Sequence, residues 1–115
     1  MELNQLRDEL RTFANERDWG QFHTVKNLVL ALMGELGELA EVIQWVEDPS
    51  AQFLKDNPQL KQSLTDELAD VLLYLVRLSD VADIDLLAAS SAKLEKNALR
   101  YTVEKSKGNA KKQPQ

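Results

Sequence analysis

Two segments of this chain are apolar nearly all the way round a helix, and this constrains the fold more than any other feature. The first carries Leu28, Val29, Leu30, Ala31, Leu32, Met33, Leu36, Leu39, Val42 and Ile43. The second carries Leu68, Val71, Leu72, Leu73, Leu75, Val76 and Leu78. A helix apolar on every side must be covered on every side, and 115 residues make one domain too small to wrap two such helices alone. The surplus predicts a subunit interface, most simply that of a homodimer or a homotetramer of paired dimers. A few exposed leucines are the plainer alternative.

The rest of the chain supplies helices to pack against these two. Leu3, Leu6, Leu10 and Phe13 form one apolar stripe of a first helix. The run Asn15-Glu16-Arg17-Asp18-Trp19-Gly20 ends it, with Gly20 as the natural point of reversal. Thr24 is placed to cap the second helix, which the pattern carries to about Val46, where Asp48-Pro49 stops it. Residues 49–57 read as a connector with a helical turn. Asn57-Pro58 then opens a third helix as cap and first-turn proline, continuing to about Val81. After a break at Asp83-Ile84-Asp85, with either aspartate as cap, a fourth helix runs from about Leu86 to Thr102 or Val103. The fold class expected is all-α, a four-helix bundle over residues 1–104, followed by a basic, flexible tail over 105–115.

Charge and cysteine content exclude several function classes. The net charge is −5, but Lys105, Lys107, Lys111 and Lys112 lie in the tail, so the first 104 residues stand at −9. An acidic body is unsuited to nucleic acid, whose binding depends on neutralising many phosphates. An anionic substrate would need cations to approach it. The tail reads as a solvated end, with a grip on phosphate as its alternative. There is no cysteine, which excludes thiol chemistry and disulfides and suits a reducing cytoplasm. Met1-Glu2-Leu3-Asn4-Gln5 has no basic or apolar region of a secretory signal. Glu35, Glu38 and Glu41 interrupt the longest apolar span, which is therefore not a membrane helix.

Those acids are the chemistry-bearing feature. Glu35 and Glu38 share a helix face one turn apart, and Glu67 and Asp70 repeat the arrangement on the third helix. Antiparallel pairing of the two helices would converge four carboxylates, whose mutual repulsion is tolerable with cations between them. Oxygen ligands without cysteine or clustered histidine favour Mg²⁺ or Mn²⁺ over Zn²⁺. A single such pair on an amphipathic helix is ordinarily solvent-facing; two pairs inside strongly apolar segments are not. Glu41, a further turn along, could support the cluster or face solvent. A di-iron bundle would need Glu-x-x-His motifs from two helices, and the one histidine, His23, lies outside the acidic helices.

Glu-x2-Glu and Glu-x2-Asp, separated by 28 residues, resemble the signature of the MazG-like all-α nucleoside triphosphate pyrophosphohydrolases. Several stretches look like the dCTP pyrophosphatase branch of that family. They are Arg17-Asp18-Trp19-Gly20-Gln21-Phe22-His23, Lys26-Asn27-Leu28, Gly34-Glu35-Leu36-Gly37-Glu38-Leu39-Ala40-Glu41 with Gln44-Trp45, and Asp66-Glu67-Leu68-Ala69-Asp70-Val71-Leu72-Leu73-Tyr74. Lys93, Asn97, Arg100 and Tyr101 complete the likeness, which covers roughly residues 3–108.

The resemblance implies a bundle that dimerises, often into tetramers, and hydrolysis between the α- and β-phosphates to a monophosphate and pyrophosphate. Glu35, Glu38, Glu67 and Asp70 would hold Mg²⁺, with Glu35 as the base that activates water and Glu38 the competing candidate. Trp19, Trp45 and Tyr74 would enclose the nucleobase with His23 near it, although Trp45 and Tyr74 alone read as helix-face core residues. Lys93, Asn97 and Arg100 recur at helical spacing and share a face. By resemblance Lys93 serves the phosphates, Asn97 the base or sugar, and Tyr101 packs at the sugar. Two departures stand out: Thr102 occupies a place where relatives usually carry proline, and the end of the chain lacks their tyrosine-containing extension. The expected substrate is dCTP or a modified pyrimidine triphosphate. The same chemistry on dUTP, dATP or damaged purines is one alternative, and a non-catalytic helical interaction protein is another.

Overall fold

A computed structural model describes residues 1–48 and 50–115. The described residues form helices joined by short turns, with no strand among them. In order these are α1 (Leu3–Glu16), α2 (Val25–Ile43), α3 (Ala51–Asp56), α4 (Pro58–Val81), α5 (Leu86–Arg100) and α6 (Val103–Ser106). The four long helices are those the periodicity predicts; α3 is the anticipated turn in the connector, and α6 is an addition. The chain divides into two compact units, Met1–Asp83 and Ile84–Gln115.

Local chemistry explains most boundaries. Thr24 Oγ1 accepts from the Asn27 N–H at 3.1 Å and starts α2, as expected. Asp85 rather than Asp83 caps α5, its carboxylate accepting from the Ala88 N–H at 3.0 Å. Asn57 occupies the N-cap position before Pro58, but its side chain instead donates to the Phe53 carbonyl at 2.7 Å, closing α3. Gly20 lies in the turn between α1 and α2, its carbonyl accepting from the His23 N–H at 3.3 Å, but it is not the left-handed residue. Asp18 adopts the left-handed conformation, φ 53°, a region that aspartate tolerates better than most residues. α2 ends at Ile43, before the expected Val46, with Gln44 and Trp45 in a turn. The expected stop at Asp48-Pro49 includes Pro49, which lies outside the described residues. α5 ends at Arg100, because Thr102 leaves the helix and caps α6.

In the first unit, α4 is the central element and packs against α1, α2 and α3. His23, just before α2, meets Arg77 late in α4, whereas Glu35 and Glu38, further along α2, meet Glu67 early in α4. The two helices are therefore antiparallel. The fully buried apolar side chains among the described residues are Ala14, Leu28 and Val76. Leu30, Met33, Leu36 and Ile43 of α2, and Leu68, Leu72 and Leu75 of α4, remain over a third exposed. No helix among the described residues is long and apolar enough to cross a membrane.

Candidate active site

One face of α4 organises the site. Glu67, Asp70, Tyr74 and Arg77 follow at steps of three, four and three, so they line a single stripe about 15 Å long. Its early end faces the acids of α2, and its late end faces the turn before α2.

At the early end, carboxylate oxygens of Glu35, Glu38 and Glu67 all lie within 4.8 Å of one another. Glu35 Oε2 and Glu67 Oε2 are buried with no hydrogen-bond partner. Among the described residues no lysine or arginine forms an ion pair with any of the three. Burial first, and then the charge and proton-sharing contact of Glu38, push the Glu35 carboxyl up to about 7, with Asp70 and Glu67 adding to the effect. Glu67 is raised for the same reasons, burial foremost. Asp70 is thus near enough to act on both glutamates, but it is not in the tight group of three. Buried oxygens lacking any donor, in an all-oxygen set, fit a hard divalent cation. The expected four-acid cluster is therefore drawn as three converging acids with Asp70 beside them.

At the late end, a cavity of about 190 Å³ is lined by Leu10, Phe13, Ala14, Trp19, His23, Asp70, Leu73, Tyr74 and Arg77. That is below the roughly 300–1,000 Å³ of pockets that take whole ligands, so it suits one flat ring. The turn after α1 builds its wall. Asp18 reverses the chain, the Trp19 N–H donates to the Ala14 carbonyl at 2.9 Å, and the His23 N–H donates to the Trp19 carbonyl at 3.1 Å. Trp19 then stands edge-on to Phe13 at 5.6 Å and to His23 at 6.1 Å between ring centres. Asp70 belongs to this lining and also influences the acids, so it joins the two ends of the stripe.

The other anticipated residues are placed differently. Trp45 is 84% exposed and does not line this cavity. Within the second unit, Lys93, Asn97 and Arg100 do share one surface groove, together with Lys96, Lys105 and residues 113–115. Arg100 donates to the Gln113 carbonyl and lies over the Tyr101 ring at 5.0 Å. Tyr101 itself is tied by its N–H to the Asn97 carbonyl at 2.7 Å.

Sequence reasoning missed Arg77, which is 8% exposed and lines the cavity. Its Nε donates to His23 Nδ1 at 2.9 Å, and its Nη1 pairs with Asp80 at 3.4 Å. Asp80 is also held by Arg11 from α1, which keeps its carboxyl below the usual range. A signal was present: Arg77 interrupts an apolar run and continues the face of Asp70 and Tyr74. Burial, and then the Arg77 charge, lower the His23 pKa, which favours the neutral imidazole.

The all-helical fold thus sets a carboxylate cluster and a ring-sized cavity along one helix face. This chain belongs to the MazG nucleotide pyrophosphohydrolase family, whose domain matches residues 23–102. It is 44% identical to dCTP pyrophosphatase 1 of Rattus norvegicus over 94% of this chain and 64% of that one. It is 41% identical to dCTP pyrophosphatase 1 of Homo sapiens over 96% and 65%. The chain thus spans a little under two thirds of the length of these relatives. A crystal structure of a pyrophosphatase from Archaeoglobus fulgidus superposes with a TM-score of 0.77 at 39% identity, covering 86% of this chain and 91% of that one.

Proposed function

We propose that this protein hydrolyses nucleoside triphosphates at the α–β phosphoanhydride, releasing a nucleoside monophosphate and pyrophosphate, with dCTP or a modified dCTP as its preferred substrate. The observation that carries the proposal is the α4 stripe. It leads from two buried carboxylate oxygens without partners to a ring-sized aromatic cavity, with Asp70 common to both. The preference for cytosine rests on the similarity to dCTP pyrophosphatase 1.

Glu35, Glu38 and Glu67, with Asp70 beside them, would hold Mg²⁺, or Mn²⁺ in its place. Bound there, the ion would neutralise phosphate charge and polarise the phosphorus under attack. Glu35 is the base we assign, because its raised pKa suits a group that takes a proton from water near neutrality; Glu38 is the competing candidate. Trp19 and Tyr74 would flank the base beside His23. Trp45, outside the cavity, is a candidate for stacking in an assembled oligomer. On α5, Lys93 and Arg100 are assigned to phosphate, Asn97 to base or sugar, and Tyr101 to the sugar. The exposed leucines of α2 and α4 support a homodimer or homotetramer. We also assign the nucleotide-handling domain to residues 1–104 and a basic appendage to 105–115.

Incubating the protein with a panel of ribo- and deoxynucleoside triphosphates and Mg²⁺ tests the proposal. Monophosphate and pyrophosphate should appear, fastest from dCTP. Turnover of no nucleotide would overturn the activity, and orthophosphate alone would overturn the bond assigned. A faster reaction with dUTP, dATP or a damaged purine would move the preference to that base.

A further inference from the structure

We propose that Arg77 is a positioning residue that fixes His23 as the Nε2–H tautomer, so that the imidazole offers a hydrogen-bond donor to the ligand ring in the cavity. The inference deepens the nucleotide reading and rests on the cavity being the nucleobase pocket.

A guanidinium can only donate. Because Arg77 Nε donates to His23 Nδ1 at 2.9 Å, that nitrogen must carry a lone pair, and in a neutral imidazole the proton then sits on Nε2. His23 lines the cavity with its Nδ1 already engaged, so the nitrogen left for a ligand is Nε2. The arrangement is braced from behind. Arg11 of α1 holds Asp80 through two contacts, and Asp80 in turn pairs with Arg77 Nη1. The guanidinium is thereby fixed in the orientation that presents Nε to the imidazole. The lowered His23 pKa is in keeping, since a protonated ring could not accept from Arg77.

The consequence is chemical selectivity. A donor on the pocket wall favours a ring edge that offers an acceptor, such as a carbonyl oxygen or an unprotonated ring nitrogen. An edge that presents N–H there leaves two donors opposed, which is costly in a partly desolvated site.

This sequence has one histidine, so long-range ¹H–¹⁵N spectra of the ¹⁵N-labelled 115-residue chain report its tautomer without ambiguity. In the wild-type protein at pH 7.5, Nδ1 should resonate as the unprotonated nitrogen and Nε2 as the protonated one. Arg77→Met keeps the shape of the side chain without its donor and should shift both signals towards an averaged mixture. Arg77→Gln places an amide N–H at the same chain position as Nε and should return them to the wild-type values. In parallel, KM for the preferred triphosphate should rise roughly three- to tenfold in Arg77→Met, the range of one net hydrogen bond. kcat should change less, and Arg77→Gln should recover most of the loss.

An Nδ1–H or averaged wild-type tautomer would overturn the proposal. So would wild-type shifts, or a wild-type KM, in Arg77→Met. Should Arg77→Met fail to fold, the wild-type and Arg77→Gln spectra still decide the tautomer. If the wild-type protein turns over no nucleotide, the pocket reading fails and takes the ligand role of His23 with it, whereas the tautomer is settled by the spectra alone.

Discussion

The two ends of the α4 stripe solve opposite problems with charge. At the late end the buried guanidinium is answered from within the chain: Arg77 meets His23 and Asp80, and Asp80 meets Arg11 from α1. At the early end three carboxylates crowd together, and two of their oxygens are buried without a partner. Buried charge is retained only where it is paired. The late end is therefore self-sufficient and sets a shape, whereas the early end is left incomplete, with carboxylate oxygens that would suit a divalent cation. About 15 Å of one helix separates charges paired within the chain from carboxylates that lack a partner.

The largest expected effect tests the incomplete end. Glu35→Gln should lower turnover by about 10²–10⁴-fold, the usual contribution of a positioned base, while thermal melts of the metal-free protein show no loss of stability. Relief of repulsion among the acids is the reason the two readouts part. A collapse of both would mean that Glu35 holds the fold together, and the comparison would break. The next effect tests the self-sufficient end. Asp80→Ala leaves the buried Arg77 guanidinium without its carboxylate and should cost about 3 kcal/mol in urea unfolding. An unchanged urea midpoint would show that the pairing is not what holds that end.

The sequence made the early end far more legible than the late one. Glu35, Glu38 and Glu67 could be found because helical spacing is local, and an acid inside an apolar run is conspicuous. Asp70 fell on the predicted face, but only the geometry shows it bridging acids and cavity. The His23–Arg77 contact joins residues 54 apart in sequence, and the Arg11–Asp80 pair joins residues 69 apart; no periodicity reports such pairings. Gly20 lies in the turn after α1, as its residue type suggests, but glycine's usual left-handed role falls elsewhere. Here Asp18 takes that role, and its side chain also accepts from Gln21 Nε2 at 3.0 Å. Trp45 was grouped with the pocket aromatics by resemblance, and the early end of α2 at Ile43 leaves it in an exposed turn.

The two ends should also respond to pH with opposite sign. Glu35, raised from 4.5 to about 7, binds more protons in the folded state than in the unfolded state between those values. Stability of the metal-free protein should therefore fall as pH rises through that window, by about 1 kcal/mol once solvent screening is allowed for. Glu67 acts in the same direction. Asp80 is lowered, so its contribution is present above its unfolded value and is lost as the solution becomes strongly acidic. Melts from pH 5 to 8 should show the decline without metal and a much flatter profile with Mg²⁺ or in Glu35→Gln. A decline that neither Mg²⁺ nor that substitution removes would place its origin outside the cluster.

The smallest effect concerns the turn that carries the cavity wall. Asp18 at φ 53° directs the chain so that Trp19 can donate to Ala14 and stand against Phe13 and His23. Asp18→Asn keeps a side chain that tolerates the left-handed region and can still meet Gln21, so its urea midpoint should match the wild-type value. Asp18→Ala loses both and should cost about 1 kcal/mol. Because the strain sits under Trp19, the Ala variant should also raise KM while leaving Mg²⁺ binding at the acids unchanged. Equal weakening of metal and substrate binding would mean that the two ends of the stripe are mechanically coupled through α4.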